Sequence, residues 1–329
     1  MSDSPDIRDI TIDEFGQPLS GPTATTADRK AAMAAERAIV APYWGGFQSR
    51  IVVTFILVLA LWVAIIALGA TGHLALWLGA LINTVVATMF YMPLHEAVHG
   101  NISGRQAKYR KIENLVGALA SIPLGLSFAT HRPSHLRHHA FTNDPDRDPD
   151  HFTFGRLIDL PMKWFFVALV TTFLPIFAFI PAARKILPQQ IARSLAGDSN
   201  RASGLLQLRF WLLTTLALVL AIPFGLFVPA LLLWYIPSRI QALWLLFVFA
   251  WYPHHPASDT GRYVDTRIAV FPGSGFLIRG HDHHALHHLY PQVPHYRLRA
   301  LWQEMAEDLI PKGVRAQGRA LGATGPVIW

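Results

Sequence analysis

The histidines of this chain are concentrated in short groups whose spacing suits metal coordination. Ten of the sixteen histidines lie at positions 95–99, 135–139, 254–255 and 284–288. The three longer groups read HEAVH, HLRHH and HALHH, and His283 directly precedes the last of them to give HHALHH at 283–288. On a helix, side chains three or four positions apart project from the same face and can share one ion. A single such pair is also compatible with ordinary surface histidines, but the repeated pattern predicts a metal site.

The number of clustered imidazoles indicates more than one ion. A structural zinc takes four protein ligands and a catalytic zinc usually takes three. The three groups and the pair at 254–255 exceed what one ion needs, so two metals are predicted. The chain contains no cysteine, which excludes thiolate sites and disulfides. Imidazole alone does not choose between zinc, copper, iron and nickel.

The elements that position these histidines are apolar runs of membrane-spanning length. The runs are Ile51–Ala70, Leu74–Met92, Leu208–Val228 and Pro229–Tyr252. Each is close to the roughly 20 residues that cross a hydrocarbon core. Only 15% of the residues are charged, against about a quarter in soluble domains. The sequence predicts an all-α integral membrane protein with about four transmembrane helices, interfacial helices and a cytoplasmic histidine-rich cap.

A fifth apolar run, Pro161–Ala183, is predicted to lie on the inner leaflet rather than to cross the membrane. A crossing here would separate the histidine groups onto opposite sides. The run contains Pro175 and Pro181, and a basic segment follows it. Arg239 argues against this choice, because it falls inside the predicted last span, where a charge is costly.

The basic residues predict the orientation of the chain. Lys and Arg residues flank the first span on its N-terminal side and follow the second span, whereas the connection at 71–73 carries none. The positive-inside rule therefore places the N-terminus and the histidine groups in the cytoplasm. The net charge of +7 is interpreted as topology and contact with anionic lipid, not as nucleic-acid binding. Residues 1–40 are predicted as a mobile polar tail, 41–310 as a single membrane domain and 311–329 as a C-terminal tail.

The three histidine groups, in this order and each after a hydrophobic span or hairpin, resemble the histidine boxes of the membrane fatty acid desaturase and hydroxylase superfamily. The resemblance covers roughly residues 50–310. The segments NDPDRDPDHF, FVPALLLWY, WYPHHP and HHALHHLYPQVPHYRL are most similar to bacterial carotenoid-ring oxygenases of the β-carotene hydroxylase and ketolase type.

This resemblance implies a non-haem centre of two iron ions, O2 as co-substrate, and a ferredoxin-like electron donor. It also implies a location in the bacterial inner membrane and a carotenoid or acyl-lipid substrate. The implied ligands are His95, His99, His135, His138, His139, His254, His284, His287 and His288. His255 is the alternative to His254 at the Tyr-Pro-His-His turn, and His131 is a further candidate beside the second box.

Other residues are expected to orient the ligands. Glu96, Asp148 and Asp150 can accept a hydrogen bond from the second nitrogen of a ligating imidazole. His281 and His283 flank the third box and are expected to act in the same outer shell. Carotenoid-ring hydroxylation or ketolation is the favoured activity, and fatty acyl desaturation or hydroxylation is the alternative. A histidine-rich metal transporter is a remote third, since transporters place their ligands near the bilayer midplane.

Overall fold

The computed structural model describes residues 26–189, 191–192 and 201–329. Within that part of the chain, four helices are long and apolar enough to cross a membrane. They are Ser49–Ala70, Leu76–His99, Ala202–Phe224 and Phe227–Trp251. The four predicted spans are therefore confirmed, with ends that differ by at most seven residues, and the chain is an integral membrane protein built mainly from helices.

The elements are numbered here in chain order. The helices are α1 (Thr26–Val40), α2 (Ser49–Ala70), α3 (Leu76–Thr88), α4 (Tyr91–His99), α5 (Arg110–Leu124), α6 (Phe128–Ala140), α7 (Leu160–Thr172), α8 (Leu174–Phe179), α9 (Arg201–Leu220), α10 (Phe227–Trp251), α11 (Ser274–Leu277), α12 (His284–Leu289) and α13 (Leu298–Leu309). The strands are β1 (Arg267–Val270) and β2 (Arg315–Gly318). The chain separates into a span unit, Gly46–Tyr252, and a terminal unit, Met1–Gly45 with Pro253–Trp329.

The predicted non-spanning run at 161–183 is divided into three short helical pieces. They are α7, α8 and a 3-10 segment, Pro181–Ile186. Each piece has a proline in its first turn, where the missing N–H is not needed and the following chain can still form a helix. None of the pieces is long enough to cross a bilayer, in agreement with the sequence prediction. Their placement on the inner leaflet stays a prediction.

The fourth span is irregular where it packs against the first two. Residues Leu231–Tyr235 of α10 form a π-helical turn. The side chain of Leu233, which is fully buried, lies against Gly69 of α2 and Gly79 of α3. The Asn83 side-chain amide donates to the Leu233 carbonyl at 2.8 Å, because the altered hydrogen-bond register of a π turn leaves carbonyls in need of another donor.

Enlarging one of these glycines is expected to destabilise the span unit. A Cβ at Gly79 would lie 2.6 Å from Leu233 Cδ2, so Gly79→Leu must displace the fully buried Leu233 side chain, at a cost of about 1–3 kcal/mol. Gly204→Leu is the matched control, since Gly204 in α9 has open space around it. Thermal unfolding in detergent should show a lower midpoint for Gly79→Leu alone. Equal midpoints would contradict the packing described here.

The charge of Arg239, which lies inside the fourth span, has polar partners near the break between helices α5 and α6. Helices α5 and α6 meet at an angle of 99°, and Gly125 stands at the break with φ of +62°. The Arg239 guanidinium donates to Thr171 Oγ1 at 3.1 Å and lies 3.5 Å from the Gly125 carbonyl. It also packs over the Tyr235 ring at 4.8 Å. A cation is stabilised beside the C-terminal end of a helix such as α5, which explains why the span tolerates the charge.

Two further side chains of α10 satisfy the end of α5. The Trp234 indole donates to the Ile122 carbonyl at 2.7 Å. The Gln241 amide donates to the Leu124 carbonyl at 2.9 Å. The last carbonyls of a helix have no partners within that helix, so these bonds stabilise the break between α5 and α6.

The terminal unit differs from the predicted tails. Residues 1–25 lie outside the described residues, but the rest of the expected N-terminal tail forms α1, whose many alanines favour a helix. The expected C-terminal tail at 311–329 contains β2, which pairs in parallel with β1. Val40, Val314 and Ala316 enter one hydrophobic core with α12 and α13. Each segment contributes only a few residues to that core.

Candidate metal centre

Four histidines of the first two boxes converge in the span unit. His95 and His99 lie on α4, and His135 and His139 lie on α6. Each pair is separated by four positions, so both side chains of a pair project from one helical face. One ligand nitrogen from each ring lies within 4.8 Å of the others. Gly100, with φ of +77°, ends α4 directly after His99.

The nitrogen separations suit ligation of a single ion. His135 Nε2 lies 3.0 Å from His99 Nε2 and 3.1 Å from His139 Nε2. A metal–imidazole bond of about 2.1 Å places two donors about 3 Å apart when they meet the ion at a right angle. His95 and His135 are almost completely buried, and buried imidazoles are held most readily as neutral ligands. The group therefore fits a histidine-bound metal ion.

His138 is held by a carboxylate from the loop that follows α6. Its Nδ1 lies 2.8 Å from Asp148 Oδ1, which leaves Nε2 as the nitrogen for a metal. Asp148 also accepts hydrogen bonds from the backbone N–H groups of Asn143 and Asp150, both at 2.8 Å. The loop contains two Asp-Pro pairs, Asp144-Pro145 and Asp148-Pro149. It folds back onto the second histidine box, and the Asp148 carboxylate fixes both the loop and the His138 ring.

The other expected supports of the first two boxes are placed differently. Asp150 Oδ2 lies 3.9 Å from His138 Nδ1, beyond hydrogen-bond distance. Glu96 is buried and accepts a hydrogen bond from the Asn101 amide at 2.8 Å. The ring of His131 stacks on that of His135 at 5.4 Å, but His131 lies outside the group of close ligand nitrogens.

Three further histidines converge in the terminal unit. His284 and His288 lie on α12 and His254 precedes the Pro256 turn. His254 Nε2 lies 3.1 Å from His284 Nε2, and the three side chains offer ligand atoms within 4.8 Å of one another. His255 lies outside this group and is half-buried. Burial, together with the positive charges of Arg267 and Arg315, lowers the pKa of His255.

The third box has its own supporting contacts. His281 Nδ1 lies 2.8 Å from His284 Nδ1, on the side opposite the Nε2 that approaches His254. His283 Nδ1 lies 2.9 Å from Asp282 Oδ1, and the Ser274 hydroxyl donates to Asp282 Oδ2 at 2.7 Å. Burial raises the pKa of Asp282, but the hydrogen bond and charge of His283, the hydrogen bond from Ser274 and the charge of His281 together lower it by more, so the net shift is downward.

His287 is buried on α12 among the histidines of the same box. Its ring centroid lies 5.2 Å from that of His281 and 5.4 Å from that of His284. The structure therefore clusters the four histidines at 281, 284, 287 and 288, of which only His288 is partly exposed, and His283 is directed to Asp282.

Three residues at the site had not been singled out from the sequence. Tyr91, on the first turn of α4, packs its ring 5.7 Å from that of His95 and 4.3 Å from that of Phe249. Asn101 donates a hydrogen bond to the Glu96 carboxylate, and the Asp282 carboxylate lies against His283 Nδ1. Asp282 adjoins a histidine in the sequence, which is a weak signal. Tyr91 and Asn101 give no sequence signal beyond their position next to the first box.

The fold and the clustered imidazoles define a helical membrane protein with histidine-rich sites suited to a metal. The model of the Fatty acid desaturase family matches residues 71–318 of the chain. The chain therefore belongs to the fatty acid desaturase family, within the membrane desaturase and hydroxylase superfamily, and its class is that of the oxidoreductases. No curated protein matches the chain.

Proposed function

We propose that this protein is an O2-dependent non-haem di-iron oxygenase acting on unactivated C–H bonds of a lipid-soluble substrate. The single observation that supports this most strongly is the convergence of imidazole nitrogens to within 4.8 Å in groups without any cysteine. Imidazole is a ligand that suits iron, and membership of the desaturase family makes oxidation the expected chemistry.

Nine histidines are proposed as the iron ligands. The first ion takes His95, His99, His135 and His139, and the second takes His254, His284 and His288. His138 and His287 are proposed to complete the two sets. Both are buried, and the Nδ1 of His138 already has a carboxylate partner. The choice of His254 over His255 rests on its 3.1 Å approach to His284.

When bound, the iron ions supply the redox chemistry that activates O2. The residues of the chain fix the ligands and exclude water. Asp148 keeps the His138 proton on Nδ1, so that Nε2 remains a donor to the metal. His281 has the corresponding role toward His284. Hydroxylation inserts one oxygen atom of O2 into a C–H bond and releases the other as water, consuming two electrons and two protons. A ferredoxin-like carrier is proposed as the electron donor.

A carotenoid ring is proposed as the substrate, with hydroxylation or ketolation as the outcome. The support is the resemblance of the flanking segments NDPDRDPDHF and HHALHHLYPQVPHYRL to carotenoid-ring oxygenases. Acyl-chain desaturation or hydroxylation is the second candidate, favoured by the description of the matching family. Both substrates dissolve in the bilayer in which the four apolar helices lie.

Expression in a β-carotene-producing bacterial host distinguishes these substrates. Pigments and fatty acids from the same cells would be analysed by mass spectrometry. Carotenoids heavier by the mass of one oxygen, or by one oxygen less two hydrogens, are the expected products. A host with unchanged pigments and newly unsaturated or hydroxylated acyl chains would replace this proposal by the second candidate.

The histidine groups are proposed to face the cytoplasm from the bacterial inner membrane. The basic residues near the span ends support this orientation. A cysteine introduced at Ser203, near the start of α9, should react with an impermeant thiol reagent in inside-out vesicles only. Labelling in intact spheroplasts would contradict the orientation. The natural chain contains no cysteine that could react in its place.

A further inference from the structure

A buried carboxylate on α1 gathers four donors from the terminal unit. Glu36 is only 3% exposed. Its Oε1 accepts hydrogen bonds from the Tyr263 hydroxyl and from Lys312 Nζ, both at 2.7 Å. Its Oε2 accepts from the Tyr290 hydroxyl at 2.9 Å and from Arg262 at 3.3 Å. Each oxygen of this carboxylate therefore accepts two hydrogen bonds.

The donors come from segments on both sides of the third histidine box. Tyr290 directly follows α12, two positions after His288. Tyr263 and Arg262 lie before β1, and Lys312 follows α13. Glu36 therefore connects α1 to the C-terminal end of the helix that carries His284, His287 and His288.

Packing on α1 reinforces this connection. Val40, one helical turn after Glu36, is 1% exposed and belongs to the same hydrophobic core as Leu286 and Leu289 of α12. Leu286 directly precedes His287 and Leu289 directly follows His288. The apolar side of α12 is thus held by a core that includes α1, and its C-terminal end is held by the Glu36–Tyr290 bond.

The surrounding hydrogen bonds and charges favour the ionised form of Glu36. Burial raises its pKa, but the hydrogen bonds from Lys312, Tyr263 and Tyr290 and the charge of Lys312 outweigh burial, so the pKa lies below its usual value. Removing an ionised partner from such a cluster leaves buried donors without an acceptor, which is strongly destabilising.

We propose that Glu36 is a positioning residue for the third histidine box, acting through the hydroxyl of Tyr290. This inference rests on the proposed di-iron function. The carboxylate sets the position of the C-terminal end of α12, and thereby the direction in which His287 and His288 present their nitrogens. Helix α1, which contains no histidine, thus influences metal binding.

Two tyrosine variants test this proposal against a merely structural role. Tyr290→Phe and Tyr263→Phe each remove one hydroxyl from the same carboxylate, and both rings are buried. Of the two tyrosines, only Tyr290 directly follows α12 in the chain. Apparent Fe(II) affinity would be measured by competition with a chelator, beside thermal unfolding in detergent and turnover. Glu307→Gln, at an exposed position of α13, serves as the control for the effects of expression and purification.

Tyr290→Phe is expected to weaken Fe(II) binding about 10-fold, at the lower end of what outer-shell changes cost. Tyr263→Phe should lower the unfolding midpoint by a similar amount but leave Fe(II) affinity within about 2-fold of the original. Equal Fe(II) affinities in the two tyrosine variants would overturn the positioning role while leaving the proposed function intact. An original protein that binds no iron would instead overturn the proposed function, and this inference with it.

Discussion

Replacing His138 or His287 with alanine is expected to abolish turnover and to deplete the bound iron. Each residue is buried and is proposed as a direct ligand, so the loss should exceed the roughly 10–100-fold that outer-shell changes cost. Neither residue belongs to the four helices that can cross the membrane. Membrane insertion and yield should therefore stay close to those of the original protein.

The control for this experiment is His73→Ala. His73 lies in the exposed connection between α2 and α3, where its ring bonds only locally to Thr71. This variant should keep full iron content and turnover. If His138→Ala or His287→Ala retained iron and turnover at the level of His73→Ala, the ligand assignment would be refuted. Loss of membrane insertion would indicate a structural role instead.

Asp148→Asn is expected to keep most of the iron but to lower turnover about 10–100-fold. An amide retains one carbonyl oxygen that can accept the proton of His138 Nδ1, so the ring stays near its place. The amide nitrogen, however, meets the backbone N–H of Asn143, from which the carboxylate accepts a hydrogen bond. The loop should therefore shift, and the neutral amide also polarises the ring less than a carboxylate does.

Two neighbouring aspartates provide the comparison. Asp150 lies 3.9 Å from His138 Nδ1, so Asp150→Asn should have a smaller effect than Asp148→Asn. Asp146 is exposed on the same loop, and Asp146→Asn should behave like the original protein. Iron content and turnover would be measured for all three. An iron-free but folded Asp148→Asn protein would show that Asp148 is itself a ligand.

The spans were predictable because burial in lipid demands long apolar runs, and these runs are visible in composition alone. The same reasoning could not reveal the break at Gly125 or the π turn around Leu233. Both depend on which side chains of another helix reach the released carbonyls. Arg239 illustrates the difference, since its charge is understandable only once the end of α5 and Thr171 are seen beside it.

The candidate site was predictable to the extent that its spacing is local. Helical periodicity brings His95 to His99 and His135 to His139 without any knowledge of the fold. The approach of His254 to His284 joins residues that are 30 positions apart, and only the family resemblance indicated it. Glu36 was assigned to a tail, because a single carboxylate in an alanine-rich segment gives no sign that it will be buried.

The central claim is that this chain holds two iron ions through its histidines. The most direct test is metal analysis of the protein purified in detergent after growth with ample iron, combined with Mössbauer spectroscopy of a sample enriched in ⁵⁷Fe. The protein is expected to contain close to two irons per chain, in an environment of nitrogen ligands without sulfur, since the chain has no cysteine. One zinc per chain without iron would contradict it.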